Sequence, residues 1–154
     1  MVKPARRAVG LKTKSGQARR QVMSPIADML AIIMNAQAVN KESAVFPFSR
    51  MKFDIANVLK AGGYLAKVER KKRKGKKSEH EFISVTLKYD EHGPAIDGVK
   101  LISRPSRRMY IKASQIKPVR SGHGIAVIST PKGIMSSKEA RKQKLGGEIL
   151  FEIW

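Results

Sequence analysis

The chain has 154 residues, of which 32 are Lys or Arg and 12 are Asp or Glu, giving a formal net charge of +20. With 42% hydrophobic residues it can bury a core, but a charge of this size repels itself and implies a polyanionic partner, nucleic acid ahead of an anionic membrane. It has no cysteine, which excludes disulfides, thiolate zinc sites and a thiol nucleophile and fits a reducing compartment, and no apolar run approaches the ~18 residues of a membrane span.

Residues 1–23 form a basic arm holding Lys3, Arg6, Arg7, Lys12, Lys14, Arg19 and Arg20 with no acid. They lack the apolar stretch of a secretory signal, and they share the Arg-rich composition of organellar transit peptides. The favoured expectation is a retained arm that orders on RNA. Ser24-Pro25 opens a helix: Ser24 can cap it, Pro25 suits its first position, and Asp28 lies where the helix dipole favours an anion. Ile26, Met29, Leu30 and Ile33 share one face at helical spacing. Ala44 to Phe46 reads as a short strand ended by Pro47. Ser49 caps a second helix with Met51, Ile55, Val58 and Leu59 on its core face, stopped by Gly62-Gly63.

Tyr64 to Glu69 reads as a strand running into Arg70, Lys71, Lys72, Arg73, Lys74, Gly75, Lys76 and Lys77. Ile83, Val85, Leu87 and Tyr89 alternate with polar residues on the returning strand, which places the basic tract at a hairpin tip. Residues 91–98 are a turn region. Val99 to Ser103 is a strand, followed by the basic-aromatic stretch Arg104, Arg107, Arg108 and Tyr110. Ile125 to Ile128 is a continuous apolar strand that ends in a tight turn, Ser129-Thr130-Pro131-Lys132-Gly133. Ser136 and Glu139 have capping-box spacing for a short helix through Lys144. Gly146-Gly147 ends that helix, and a last strand from Glu148 to Trp154 points Ile149, Phe151 and Ile153 one way. The expected organisation is an arm (1–23), an α/β domain (24–92) and a β-rich RNA-binding domain (93–154). The fold class is α/β of the α+β kind: a helix-strand-helix-hairpin first half, then a mostly β second half with one short helix.

Catalytic chemistry finds no foothold. His80, His92 and His123 have no metal-ligand spacing, and Asp54, Asp90 and Asp97 form no carboxylate pair. Ser129 and Lys132 are weak evidence for a dyad, and Gly122-His123-Gly124 precedes a strand where a dinucleotide fingerprint would follow one. No metal, cofactor or catalytic residue is expected. A charge run such as 70–77 is usually a solvated surface; on a chain of this charge, phosphate binding gains weight. The turn at 129–133 offers hydroxyls suited to base edges or a 2′-OH and an ammonium suited to phosphate, against the plainer reading of an ordinary polar turn.

Five blocks stand in one order across the chain: Pro25-Ile26-Ala27-Asp28-Met29-Leu30; Ile55-Ala56-Asn57-Val58-Leu59-Lys60; Ser103-Arg104-Pro105; Gly124 through Met135; and Ala140-Arg141 with Gly146-Gly147-Glu148-Ile149-Leu150. On these blocks, Ser24 to Trp154 closely resembles the bacterial-type small-subunit ribosomal protein eight family. The resemblance implies two small α/β domains, no enzymatic activity, and early binding to an irregular stem in the central domain of small-subunit rRNA, helping assemble the platform. It implies base contacts from the turn's Ser129 and Thr130, assisted by Gly146, Gly147, Glu148, Arg104, Arg107, Arg108 and Tyr110, with Pro131, Lys132 and Gly133 completing the rRNA-binding turn. Backbone contacts are implied for Ser24, Pro25, Ser49, Arg50 and Lys52. It further implies a place in the cytoplasmic small subunit (an organellar ribosome being less favoured), neighbouring small-subunit proteins such as five, two and seventeen, and the protein's own operon mRNA as a second ligand. A free-standing RNA-binding translational regulator on the same fold is the rival. The sequence departs from the family pattern at Pro131, usually a second Ser, at Ile32 and Met34, usually Arg, and at Ser106, usually Gly. These changes suggest that phosphate contacts have moved from the first helix to the arm and the hairpin, or that the helix meets a protein neighbour.

Overall fold

The structure, a computed structural model, describes residues 24–154; the basic arm lies outside the described residues. Helix α1 (Pro25–Ala38) begins with Pro25 in its first turn and has Ile26, Met29, Leu30 and Ile33 buried, as their spacing predicts. Helix α2 (Arg50–Ala61) buries Ile55, Ala56 and Leu59. Neither Ser24 nor Ser49 makes the side-chain cap expected of it. Met51 is 38% exposed, a second correction: it shares a helix face with Ile55, but the core begins one turn further in.

Strands β1 (Ser43–Pro47), β2 (Leu65–Lys74) and β3 (Glu79–Leu87) form an antiparallel sheet in the order β1-β3-β2. Here the basic tract departs from expectation. Arg70 to Lys74 do not sit in a tip but continue β2, paired in register from Arg70↔Ile83 to Lys74↔Glu79. Only residues 75–78 turn, closed by the Gly75 N–H donating to the Ser78 carbonyl at 3.0 Å. The strand tolerates five consecutive cations because acids lie beside them: Glu81 faces Lys72 across the ladder, and Glu69 precedes them. Pairing with β1 stops at Pro47↔Phe82, so beyond that point β2 and β3 continue as a two-stranded ribbon. Tyr89, expected to prolong β3, belongs instead to β4 (Tyr89–Asp90), which makes a small hairpin with β5 (Gly93–Pro94). Its hydroxyl donates to the Lys41 carbonyl at 2.6 Å.

The second sheet is also antiparallel. It runs β6 (Val99–Leu101), β10 (Gly147–Ile153), β8 (Ile125–Thr130), β9 (Gly133–Ser136), with β7 (Tyr110–Ile111) also on β10. Between β9 and β10 lies α3 (Ser137–Lys142), where the Ser136 hydroxyl accepts from the Glu139 N–H at 3.3 Å, one half of the predicted capping box. The helix stops before Lys144, which adopts a left-handed φ of 57°.

Ile125 to Ile128 are all buried, as a continuous apolar strand predicts, and they serve two cores. Ile125 and Val127 join a large cluster with Ile26, Leu30, Phe46, Leu59, Val85 and Phe151. Ala126 and Ile128 join a smaller one with Ile116, Val119, Met135 and Ala140. Strand β10 does not point Ile149, Phe151 and Ile153 one way. A bulge between Ile149 and Phe151 shifts the register, so Phe151 and Ile153 enter the large cluster while Ile149 packs on the small one.

The large cluster takes residues from both halves of the chain, so both halves should unfold together. Urea unfolding followed by circular dichroism and by Trp154 fluorescence should give one coincident transition. Phe151→Ala should lower its free energy by about 3–5 kcal/mol. Val45→Ala, at a site 55% exposed, should change it by no more than about 0.5 kcal/mol.

Candidate nucleic-acid interface

Pro131 and Lys132 alone form the turn between β8 and β9, because Thr130 and Gly133 are already paired strand residues. Sequence reasoning placed Ser129, Thr130 and Gly133 in the turn itself. Their strand positions follow from Ile134, whose pairing with Ser129 carries the ladder up to the two-residue loop. Thr130 is buried, and its hydroxyl donates to the Gly133 carbonyl at 2.8 Å while accepting from the Lys132 N–H at 3.2 Å. Its one proton is committed to holding the turn, so it has only acceptor capacity left to offer. Ser129 is half-buried and free of such a bond among the described residues.

Gly146 and Gly147 have a structural task that composition did not reveal. A Cβ on Gly147 would lie 2.0 Å from the Ser129 carbonyl oxygen, and one on Gly146 would lie 2.6 Å from that of Ile111. Only glycine lets β10 approach β8 and β7 this closely. A Cβ on Gly133, by contrast, would meet nothing within 4 Å.

The turn is a ridge between two concavities. One, of about 390 Å³, is lined by Tyr110, Ile111, Ser129, Thr130, Pro131, Gly146, Gly147 and Glu148. Tyr110 is 74% exposed at its rim. Glu148, the acid among these residues, is tied to Arg108 at 3.1 Å. The other, of about 630 Å³, lies between α2 and the β9–α3 corner and gathers Arg50, Asp54, Asn57, Lys132, Gly133, Lys138 and Glu139. Arg50 and Lys132, far apart in sequence, therefore share one groove. Asn57 and Lys138 were missed; their helical positions are legible, but not the packing of α2 against β9 that brings them together. Ser24, Pro25, Ser49, Lys52, Arg104 and Arg107 line neither concavity. Arg104 and Arg107 instead close a tight turn through reciprocal backbone hydrogen bonds of 3.0 Å, and the Ser103 hydroxyl accepts from the Met109 N–H at 2.9 Å.

On the ribbon, Arg70 and Lys72 both reach Glu81, at 2.6 and 3.4 Å, and Lys67 and Lys71 reach Glu69, at 2.6 and 3.5 Å. Hydrogen bonds from Arg70 above all hold the Glu81 carboxyl below its usual range, and Lys67 does the same for Glu69. Arg73, Lys74, Lys76 and Lys77 are exposed and make none of these ion pairs. Among the described residues no group of three or more His, Asp or Glu is placed to hold a metal ion.

A family model described as "Ribosomal protein S8" matches residues 24–154. The chain is similar to proteins named "Small ribosomal subunit protein uS8" from several bacteria. It is 41% identical to that of Sorangium cellulosum over 131 residues, 84% of this chain and 97% of the relative. It is 42% identical to that of Persephonella marina over 136 residues, 86% and 99%. It is 43% identical to that of Bdellovibrio bacteriovorus over 133 residues, 86% and 100%.

Gly147→Ala should destabilise by at least about 3 kcal/mol in urea unfolding, the upper end of overpacking, because a backbone oxygen occupies the space. An NMR titration should give Glu81 a midpoint below an ordinary carboxylate, rising toward the ordinary value in Arg70→Gln. A depressed folded-state pKa means that the pairing is complete above the ordinary carboxylate range and is lost as pH falls through the folded value.

Proposed function

The chain belongs to the ribosomal protein S8 family, a structural and non-enzymatic one, and from that premise we propose that it binds an irregular stem in the central domain of small-subunit rRNA and helps assemble the platform of that subunit. One observation carries the reading. An exposed tyrosine, an unengaged serine hydroxyl and two backbone-thin glycines converge on a single shallow concavity, and Lys132 stands on the other side of the same turn. A base fits against Tyr110 with its edge toward Ser129, while Lys132 and Arg50 take phosphate from the adjoining groove. Thr130 acts by fixing the turn. Arg108, paired with Glu148 at the first concavity, and Arg104 and Arg107 outside it serve as backbone contacts, and Ser24, Pro25, Ser49 and Lys52 extend the contact toward the helix starts.

In this reading the β-rich half, 93–154, meets bases, and the half spanning 24–92 presents its ribbon cations to phosphate and its α1 side to neighbouring small-subunit proteins. The arm adds sequence-independent attraction: its lysines and arginines release counterions on binding. Lost hydroxyl capacity at Pro131 leaves Ser129 as the principal neutral donor of the turn.

Filter binding over a salt series separates these roles. Lys132→Ala should weaken the cognate stem and an unrelated RNA alike and reduce the salt slope by about one unit. Ser129→Ala should leave the slope unchanged and cost about 1 kcal/mol for the cognate stem alone. Equal weakening of both RNAs by Ser129→Ala would show that the turn positions backbone and reads no base. Tagged protein should sediment with the small subunit in cells; a free-standing regulator would stay off that peak.

A further inference from the structure

The outer face of the three-stranded sheet carries an apolar groove beside the ribbon cations, and the proposed stem-binding surface places no base in it. Ile83, Val85 and Leu87 turn one face of β3 into the core. Phe82, Ser84 and Thr86 alternate onto the other, and Phe82 is only partly covered. Register puts Lys71 and Pro47 directly opposite Phe82, and Arg73 opposite His80 one step along. Val45, opposite Ser84, lies on this same face and is 55% exposed. Val45, Lys71, Lys72, Arg73 and Phe82 together line a groove of about 340 Å³. A large aromatic that faces away from the core, in an apolar groove walled by cations, is the arrangement that stacks an unpaired base and tracks its phosphates.

We propose that this groove is a second RNA site, taking an unpaired nucleotide of a single-stranded segment, with the base against Phe82 and Val45 and the flanking phosphates at Lys71 and Arg73. It rests on the reading that the protein binds RNA, but not on the Ser129 concavity. Charge selects the occupant. Lys71 shares its charge with Glu69 at 3.5 Å, whereas Arg73 makes none of the ribbon's ion pairs, and Lys74, Lys76 and Lys77 follow it into the turn. The excess is positive, so the ligand is an anion with a flat apolar face. The chain's own arm, basic and free of acids, is repelled from such a wall.

The test uses the full chain and an unstructured oligouridylate containing 4-thiouridine, with the adducts mapped after irradiation. An adduct at Phe82 is expected. Phe82→Ala should lower its yield at the ribbon about tenfold relative to adducts on the arm, and Phe82→Tyr should restore it. Lys71→Gln with Arg73→Gln should flatten the salt dependence of binding by about 1.4 units, the slope of two single-strand phosphate contacts. Adducts that avoid the ribbon, or a Phe82→Ala yield equal to wild type, would overturn the proposal. So would an acidic peptide displacing the oligouridylate from the ribbon at lower concentration than competitor RNA, since the groove would then be a protein site. Binding of the central-domain stem, measured beside it with Ser129→Ala, reports on the principal reading independently. Failure there with a ribbon adduct intact sinks only the stem assignment.

Discussion

The architecture depends on β8 being buried on both faces. A strand with one wet face needs alternation, but Ile125, Ala126, Val127 and Ile128 run without a polar residue and divide between two apolar clusters. That places the strand between α1, α2 and the first sheet on one side and α3 with the 116–119 segment on the other. Once β8 is fixed, the end of it is fixed as well. The Pro131-Lys132 turn emerges where the apolar run stops, and the Thr130 hydroxyl ties its two sides together. Pairing with β10 then demands glycine at position 147, because the Ser129 carbonyl already fills the place of a side chain. The shape of the concavity is therefore a by-product of how two strands pack. Groups placed on it inherit the rigidity of the core, which suits the stem recognition proposed above.

The charge follows a different logic. The ribbon carries cations in a regular strand, which would be unfavourable if all of them faced one another. Glu69 and Glu81 offset four of them through exposed pairs. Such pairs stabilise little in water, so they relieve repulsion between neighbouring cations without contributing much to stability. The cations further out are left for solvent or phosphate. Two arginines also lie over aromatic rings, Arg70 over Phe48 at 4.2 Å and Arg120 over Trp154 at 4.3 Å. The first draws the ribbon base against α2's approach, and the second covers Trp154 at the end of β10.

Periodicity in the sequence reported the elements well where burial is one-sided. The faces of α1 and β3 and the unbroken run of β8 were all legible, since each is a local pattern set by the core. What escaped was tertiary. The basic tract read as a tip because lysines and arginines signal solvent, yet the ladder partners that hold it as strand, Glu79 to Ile83, are visible only once register is known. The bulge at Ile149–Phe151 breaks an alternation that looked regular. The glycine pair read as the end of a helix, while its demonstrable task is close strand approach. Of the residues singled out for RNA, those on β7, β8 and β10 converge, and those at the two helix starts, Arg50 apart, lie outside both concavities. Motif order identified the family, and register explained why the motif residues are of those types.

We propose that a rigid concavity at the end of β8, bounded by Tyr110, Ser129 and Gly147, is the surface that reads RNA. Amide NMR of the protein titrated with a central-domain rRNA stem tests it most directly. Large shifts and slowed hydrogen exchange are expected at residues 110–111, 129–130, 132–134 and 146–148, with smaller shifts at the phosphate contacts Arg50, Lys52, Arg104, Arg107 and Arg108 and the amides of Ile55, Val85 and Val127 unmoved. Shifts centred on α1 and β1, with residues 129–134 unaffected, would contradict it.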